Sequence, residues 1–118
     1  MNEIASTLIA IQTQLKFLHW QTKSYARHQA YGGAYDDMTG LIDSFVEILM
    51  GKYGRVPALP FKIFNRNEKD AMSFIDETSR YLLSLDDMLN PKTDTDLLNI
   101  RDEMLAVFNK LRYLLTLS

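Results

Sequence analysis

The sequence contains no cysteine, which excludes disulfide bonds and thiolate metal sites. Its 118 residues include only five glycines and three prolines, and this scarcity of helix breakers favours long helices. No apolar run approaches the roughly 20 residues that a helix needs to cross a bilayer. The N-terminus has no basic-then-apolar signal pattern, because Glu3 falls where positive charge would be expected. We therefore expect a protein of the cytoplasm that has no membrane partner.

The chain also lacks a strong charge of either sign. Its formal net charge is −2, Lys and Arg are scattered, and neither end carries a basic tail. These features give no support for binding to DNA. With 47% hydrophobic residues, a chain of this length can bury one core and little more. We therefore predict a single domain that spans residues 1–118.

Apolar residues recur in steps of three and four along four segments, which is the spacing of a helix face that packs on a core. The sequence therefore predicts an all-α fold of four helices. The predicted core positions are Ile4, Leu8, Ile11, Leu15 and Leu18 in the first helix, Ala34, Met38, Leu41, Phe45 and Ile48 in the second, Ala71, Ile75, Leu82, Leu85 and Leu89 in the third, and Leu97, Ile100, Met104, Phe108, Leu111 and Leu115 in the fourth.

Capping residues predict where these helices begin and end. The first runs to about Thr22, and Ser24 can cap the start of the second. Gly54 follows the second helix as a C-terminal stop. The third helix is expected to end before Pro91, and Thr93 or Asp94 to begin the fourth.

The segment from residue 55 to 66 breaks the helical pattern and is predicted to connect the second and third helices. We expect three of its apolar side chains, Phe61, Ile63 and Phe64, to pin it to the core. Asn65 and Glu68 resemble a capping box for the third helix. Nearly extended, about a dozen residues span ~40 Å, which is also about the length of the second helix. A full-length crossover is thus possible but tight, and an up-down-up-down bundle stays open.

Four polar residues of the second helix, His28, Asp36, Asp43 and Glu47, share an arc that points away from its core face. Such side chains bind iron, manganese or zinc. Asp43 and Glu47 lie one turn apart and can share a metal, but His28 is ~22 Å from Asp43 along the helix. One ion cannot touch both within one chain. Two antiparallel copies of the helix related by a two-fold axis would bring them together.

A plainer interpretation is that this arc is an ordinary solvated helix face. His19 adds weight to the metal interpretation, because it lies near the end of the first helix and can reach the start of the second. Trp20, the only tryptophan, follows it. A His and a Trp at a helix end also often just fill a corner of a bundle.

The stretch Leu18-His19-Trp20-Gln21-Thr22-Lys23, followed by His28, Asp43 and Glu47, resembles the Dps-like mini-ferritins. This resemblance implies a ferritin-like four-helix bundle with a crossover between the second and third helices. It also implies a hollow homo-dodecamer that oxidises ferrous iron, often with peroxide, and stores the product. The iron site of that family lies between two-fold related subunits.

Carried over residue by residue, the resemblance makes His19, His28, Asp43 and Glu47 the catalytic metal ligands. Glu47 would bridge two irons, and Trp20 would lie beside the site and quench stray oxidants. The chain departs from the family at Gly32, where an Asp is expected one turn after the second His. Asp36, one turn further along the same face, is then a candidate replacement ligand.

The leading hypothesis is therefore a Dps-like protein that binds and oxidises iron at a dimer interface, as a possible ferroxidase, for iron storage or oxidative protection. The site would hold one iron or two, and zinc or manganese suit the same ligands. One alternative is a non-catalytic helical interaction protein that has lost the iron site. Another is a purely structural metal at the dimer interface. The lysine-rich N-terminal extension with which many relatives bind DNA is absent here.

Overall fold

The computed structural model describes all of residues 1–118 and contains four α-helices, one short 3₁₀ helix and no strand. The helices form a compact bundle that measures 42 × 27 × 21 Å. The prediction of an all-α protein with four helices is confirmed. The elements are α1 (Ile4–Gln21), α2 (Tyr25–Tyr53), the 3₁₀ helix Glu68–Asp70, α3 (Ala71–Met88) and α4 (Thr95–Leu115).

Both ends of α2 follow the capping chemistry that the sequence predicts. The Ser24 hydroxyl accepts a hydrogen bond of 3.2 Å from the Arg27 amide and so caps α2. Gly54 ends α2 with a φ of 91°, a conformation that residues with a side chain rarely adopt. Asp94, one of the two predicted residues, precedes α4, but its side chain makes no capping hydrogen bond.

The predicted core faces of α1, α3 and α4 are buried, apart from Ile100, which is partly buried. The core face of α2 differs by about one residue. Ile42 and Leu49 are buried there, whereas Leu41 and Ile48 are only partly so. The reason is that α2 packs against both α1 and α4. Its buried arc is therefore broader than the single stripe that the sequence spacing selects.

The connection between α2 and α3 is held by polar side chains of α1. Residues 55–66 make no backbone–backbone hydrogen bond. The Ser6 hydroxyl accepts from the Leu59 amide at 2.8 Å. Buried Gln14 accepts from the Phe64 amide at 3.0 Å and donates to the Phe64 carbonyl at 2.9 Å. These two side chains fasten an otherwise extended segment to the bundle.

The three apolar residues that were expected to anchor this connection are not buried in the core. Phe61, Ile63 and Phe64 are 43%, 36% and 56% exposed. The prediction that they pin the connection was wrong, because the buried core is built from other residues and Val56 is the apolar side chain of the connection that packs against it.

The predicted capping box lies two residues too early in the sequence. The structure forms it with Asn67 and Asp70, at the start of the 3₁₀ helix. Asn65 instead accepts a hydrogen bond of 3.3 Å from Gln21, and Glu68 accepts one from Thr22. The chain is still following α1 at this point, so helical structure begins later than the pattern suggests.

Buried Asp94 ties the start of α4 to the end of α2. Its Oδ2 accepts hydrogen bonds from the Tyr53 hydroxyl at 2.5 Å and the Asn90 amide at 2.8 Å. Lys52 Nζ lies 3.0 Å from Oδ1 in an ion pair that is too bent for a good hydrogen bond. The Tyr53 and Asn90 hydrogen bonds, with help from Lys52, hold the pKa of Asp94 below its ordinary value.

None of the helices combines the length and the apolar character that a membrane span requires.

Candidate functional site

The two histidines of the chain lie next to each other at the turn between α1 and α2. Residues 22–24 form a short turn between antiparallel helices, so the end of α1 lies against the beginning of α2. The rings of His19 and His28 stack there, with 3.7 Å between ring centroids and an angle of 18° between ring planes. The expectation that His19 reaches the start of the second helix is confirmed. Both side chains are half-buried.

Each histidine donates a hydrogen bond to the backbone of the other. His19 Nδ1 lies 2.7 Å from the His28 carbonyl oxygen, and His28 Nδ1 lies 2.7 Å from the His19 carbonyl oxygen. Because a carbonyl oxygen can only accept, both Nδ1 atoms must carry hydrogen. In a neutral ring the lone pair is then on Nε2. Metal-binding histidines are commonly oriented in this way, by a hydrogen bond from the nitrogen that does not bind.

Gly32 lies one turn after His28, and the ring of His19 covers it. A Cβ at this position would lie 3.0 Å from both Cε1 and Nδ1 of His19. Such a contact is tighter than most real Cβ contacts, so the His19 ring would have to shift by a few tenths of an ångström. With His19 in this position, an Asp at residue 32 would be crowded.

The three candidate carboxylates of α2 are exposed. Asp36, Asp43 and Glu47 form no ion pair and no side-chain hydrogen bond. Because α2 is unbroken from Tyr25 to Tyr53, the distance of ~22 Å between His28 and Asp43 stands. Within one chain the two histidines are therefore in contact, whereas Asp43 and Glu47 lie far from them.

Nowhere does one chain gather three or more His, Asp or Glu side chains that could hold a metal ion. The histidine pair offers two nitrogen ligands, and any metal held there needs further ligands from outside the chain. Each imidazole with a free Nε2 suits a transition metal. The two rings stack nearly parallel, however, so in this arrangement their Nε2 lone pairs do not converge on one ion.

An aromatic and cationic surface borders the histidine pair on α1. Trp20 is 60% exposed and meets Phe17 edge-on, with 5.4 Å between centroids. Lys16 Nζ lies 5.5 Å from the Trp20 ring and 4.6 Å from the Tyr35 ring. Sequence reasoning noticed only Trp20. The spacing of Lys16 and Phe17, four and three residues before Trp20, was the available signal.

Comparison with known proteins gives a family and a phage relative. A profile described as "Family of unknown function (DUF5856)" matches residues 19–115, which include both histidines and the α2 carboxylates. A protein of Enterobacteria phage T4, described as "Uncharacterized 14.6 kDa protein in mobD-ri intergenic region", is 30% identical over 119 residues. That match covers 99% of this chain and 88% of the phage protein. No solved structure matches the chain.

Proposed function

This chain belongs to DUF5856, a family of unknown function, and on that premise we propose that it is a Dps-like, ferritin-type protein of the cytoplasm. In this proposal two copies bind ferrous iron between them and oxidise it, for storage or for protection against oxidants. The observation that carries the proposal is the histidine pair, because both Nδ1 atoms are held by carbonyls and both Nε2 atoms are left free as ligands.

The ligand set is completed across a two-fold axis. His19 and His28 of one copy supply imidazole nitrogens, and Asp43 and Glu47 of the second supply carboxylate oxygens, with Asp36 as an additional ligand. Glu47 has the reach to bridge two ions. Ferrous iron is the substrate, and an incompletely filled coordination shell leaves it open to peroxide or oxygen. Zinc and manganese accept the same ligands and would compete with iron.

The path of the connection supports a ferritin-like crossover within a single domain. The connection contacts α1 near its start at Ser6, in its middle at Gln14 and at its end at Gln21. It therefore carries the chain back along α1 to the end of the bundle where α2 begins. With that path α3 starts beside the start of α2, and the two helices run in the same direction, as in ferritins.

Exposed apolar side chains support a contact with a second copy. Ile9, Phe17 and Trp20 are 39%, 37% and 60% exposed, and they lie on the side of α1 that is opposite its core stripe. Burial of such side chains stabilises an interface. A pair formed through α1 and α2 would be the building unit of a larger homo-oligomer, such as a dodecamer.

An iron titration tests the activity. Anaerobic addition of ferrous iron followed by peroxide is expected to give a rise in ferric absorbance that exceeds the rise in buffer. His28→Ala and Glu47→Ala should abolish the excess. Glu103→Ala removes an exposed glutamate of α4 and should leave it unchanged. If the wild-type protein gives no more ferric signal than buffer, the oxidase proposal fails.

The molar mass tests the site itself. Size-exclusion chromatography with light scattering should show at least a dimer. A stable monomer would remove the site, because the histidines and the carboxylates never meet within one chain.

A non-catalytic helical interaction protein is the second candidate, and Gly32 is the observation that favours it. The His19 ring lies against the place of the expected carboxylate. In this second candidate function, the reciprocal hydrogen bonds of the pair lock the turn between α1 and α2. In that case the oligomer forms, but ferrous iron neither binds nor oxidises. Iron or zinc that binds stoichiometrically without oxidation would indicate a structural metal instead.

A further inference from the structure

A cavity of about 300 Å³ opens at the end of α1, beside the 3₁₀ helix. Leu18 and Tyr31 supply its apolar surface, Lys23 and Arg66 its cations, and Gln21 and Asn67 its amides. This volume is at the lower end of the range of small-molecule sites. The cavity lies entirely within one chain.

Two hydrogen-bond donors in the wall of this cavity have no acceptor. Tyr31 is 1% exposed, and its hydroxyl forms no hydrogen bond. Arg66 Nε is also buried and unpartnered. Buried donors are nearly always paired, so two of them on residues that line one cavity call for an explanation.

The Tyr31 hydroxyl is not satisfied by its cationic neighbour. Arg27 is close enough to influence the pKa of the hydroxyl, but a guanidinium can only donate hydrogen bonds and so offers the hydroxyl hydrogen no acceptor. Arg27 Nε and Nη1 bind Ser118 and Glu68. Burial raises the pKa of Tyr31, so the hydroxyl is protonated and acts as a donor at neutral pH. What it lacks is an acceptor.

The charges at the cavity favour an anion. Glu68 is the only acidic residue of the lining, and its carboxylate is already held by Arg27 at 2.8 Å and by Thr22. Arg66 shares its charge with Glu77 through a contact of 2.9 Å. Lys23 has no ion pair, so its positive charge is uncompensated.

We propose that this cavity binds a small organic carboxylate. Its oxygens accept hydrogen bonds from the Tyr31 hydroxyl and Arg66 Nε, and its apolar body lies against Leu18 and the Tyr31 ring. Lys23 adds attraction from the rim. Both donor atoms have almost no solvent exposure. Binding therefore requires a small movement of the cavity wall, and the bonds that form are shielded from water. The proposal does not depend on iron or on a second copy.

Binding of 4-fluorobenzoate, followed by ¹⁹F NMR, tests this site in the full chain. We expect saturable binding at millimolar concentrations or below, and binding of the neutral isostere 4-fluorobenzamide that is weaker by about tenfold, because a charged acceptor makes the stronger hydrogen bond. If 4-fluorobenzoate does not saturate, or if 4-fluorobenzamide binds equally well, the proposal is wrong.

Two substitutions locate the binding. Tyr31→Phe keeps the ring and removes the donor, and it should weaken 4-fluorobenzoate binding about fivefold or more. Arg66→Lys keeps the charge, removes Nε and should act in the same direction. Tyr113→Phe, at an exposed tyrosine of α4, is the control and should have no effect.

The melting temperature of Tyr31→Phe without ligand shows whether the Tyr31 hydroxyl lacks an acceptor or is hydrogen-bonded to water. If no acceptor is present, Tyr31→Phe should leave the melting temperature unchanged or raise it. A clear fall in the melting temperature, or unchanged affinity for 4-fluorobenzoate in Tyr31→Phe, would overturn the assignment.

Discussion

The tautomers of His19 and His28 follow directly from their reciprocal hydrogen bonds. Each ring donates from Nδ1 to a carbonyl, so the neutral form of each ring should be the Nδ1–H tautomer. A long-range ¹H–¹⁵N correlation spectrum of the metal-free protein should show both Nδ1 atoms as protonated nitrogens. Signals from a protonated Nε2 on either ring would remove the main support for metal binding at this pair.

Gly32 and Gly33 are neighbours in α2 with opposite surroundings. A Cβ at Gly33 meets nothing within 4 Å, whereas one at Gly32 meets the His19 ring at 3.0 Å. Gly33→Ala should raise the free energy of unfolding by about 0.5–1 kcal/mol, because alanine favours the helix. Gly32→Ala should lose that gain or become destabilising. Urea unfolding measures both, and equal gains would show that His19 moves aside freely.

The lowered pKa of Asp94 predicts how the free energy of unfolding depends on pH. Its pKa in the folded chain is below the ordinary value of 3.8, so the folded state holds its proton less tightly than the unfolded state does. This contribution is fully present at neutral pH. It is lost as the pH falls from about 4 through the folded pKa. Thermal unfolding between pH 7 and pH 2 should show this loss.

Asp94→Asn isolates that contribution. The variant should be less stable at neutral pH by roughly 1–3 kcal/mol, because it disturbs a buried acceptor that binds Tyr53 and Asn90. It should also lose less stability than the wild type on acidification. Asp36→Asn, at an exposed and unpaired carboxylate, is the control and should behave like the wild type.

At the scale of residues, the sequence predicts which side chains come close together, but not the hydrogen bonds and rotamers that result. Helical periodicity and a short turn suffice to place His19 near His28. The reciprocal bonds between ring and backbone depend on the exact turn at residues 22–24. The covering of Gly32 depends on the rotamer of His19. Neither is encoded in spacing, which is why Gly32 reads from the sequence only as a missing ligand.

At the scale of elements, Gln14 is the main fastening of the connection. One buried amide holds both the amide and the carbonyl of Phe64. Gln14→Ala should release this segment while the helices stay folded. Trypsin should then cut after Lys62 and Arg66 about tenfold faster, a factor typical of one or two lost hydrogen bonds.

Gln12→Ala is the matched control for that experiment. Gln12 is also a glutamine of α1, but it donates to Thr39 of α2 and does not touch the connection. Its loss should leave the cleavage rate unchanged. Equal acceleration in both variants would mean that α1 itself has loosened.

Helix ends were predictable because capping is local chemistry, as Ser24 and Gly54 demonstrate. The path of the connection between α2 and α3 could not be predicted in the same way. Three aromatic or β-branched residues in a loop suggest burial, but burial also needs free space in the core. Ser6 and Gln14 hold the segment instead, and their partners lie 53 and 50 residues away, too far for sequence spacing to identify.

At the scale of the whole molecule, the proposed pairing of two copies makes a surface prediction. Phe17→Lys places a charge on the exposed apolar side of α1 and should dissociate the oligomer, because a buried charge without a partner is costly. Light scattering should report a monomer, and circular dichroism an intact helical fold. Leu83→Lys, at a residue of α3 that is 52% exposed, should leave the mass unchanged.

If Phe17→Lys remains assembled, the copies meet through a face that does not bury Phe17, and the proposed pairing through this side of α1 is wrong. The architecture of the single chain was readable from its sequence, since four amphipathic segments have few ways to bury their apolar faces. The assembly of copies could not be predicted from the sequence. The exposed apolar residues of α1 indicate where a partner can bind, but they do not identify that partner.

Residues 60–63 lie between the anchors at Leu59 and Phe64 and have no backbone hydrogen bond of their own. The length of this span is therefore decoupled from the register of every helix. Extra residues would add only loop-closure entropy, which grows slowly with length. Residues 60–63 are therefore a suitable place to insert an epitope tag or a fluorescent reporter. We also expect related chains to differ in length here while keeping the same bundle.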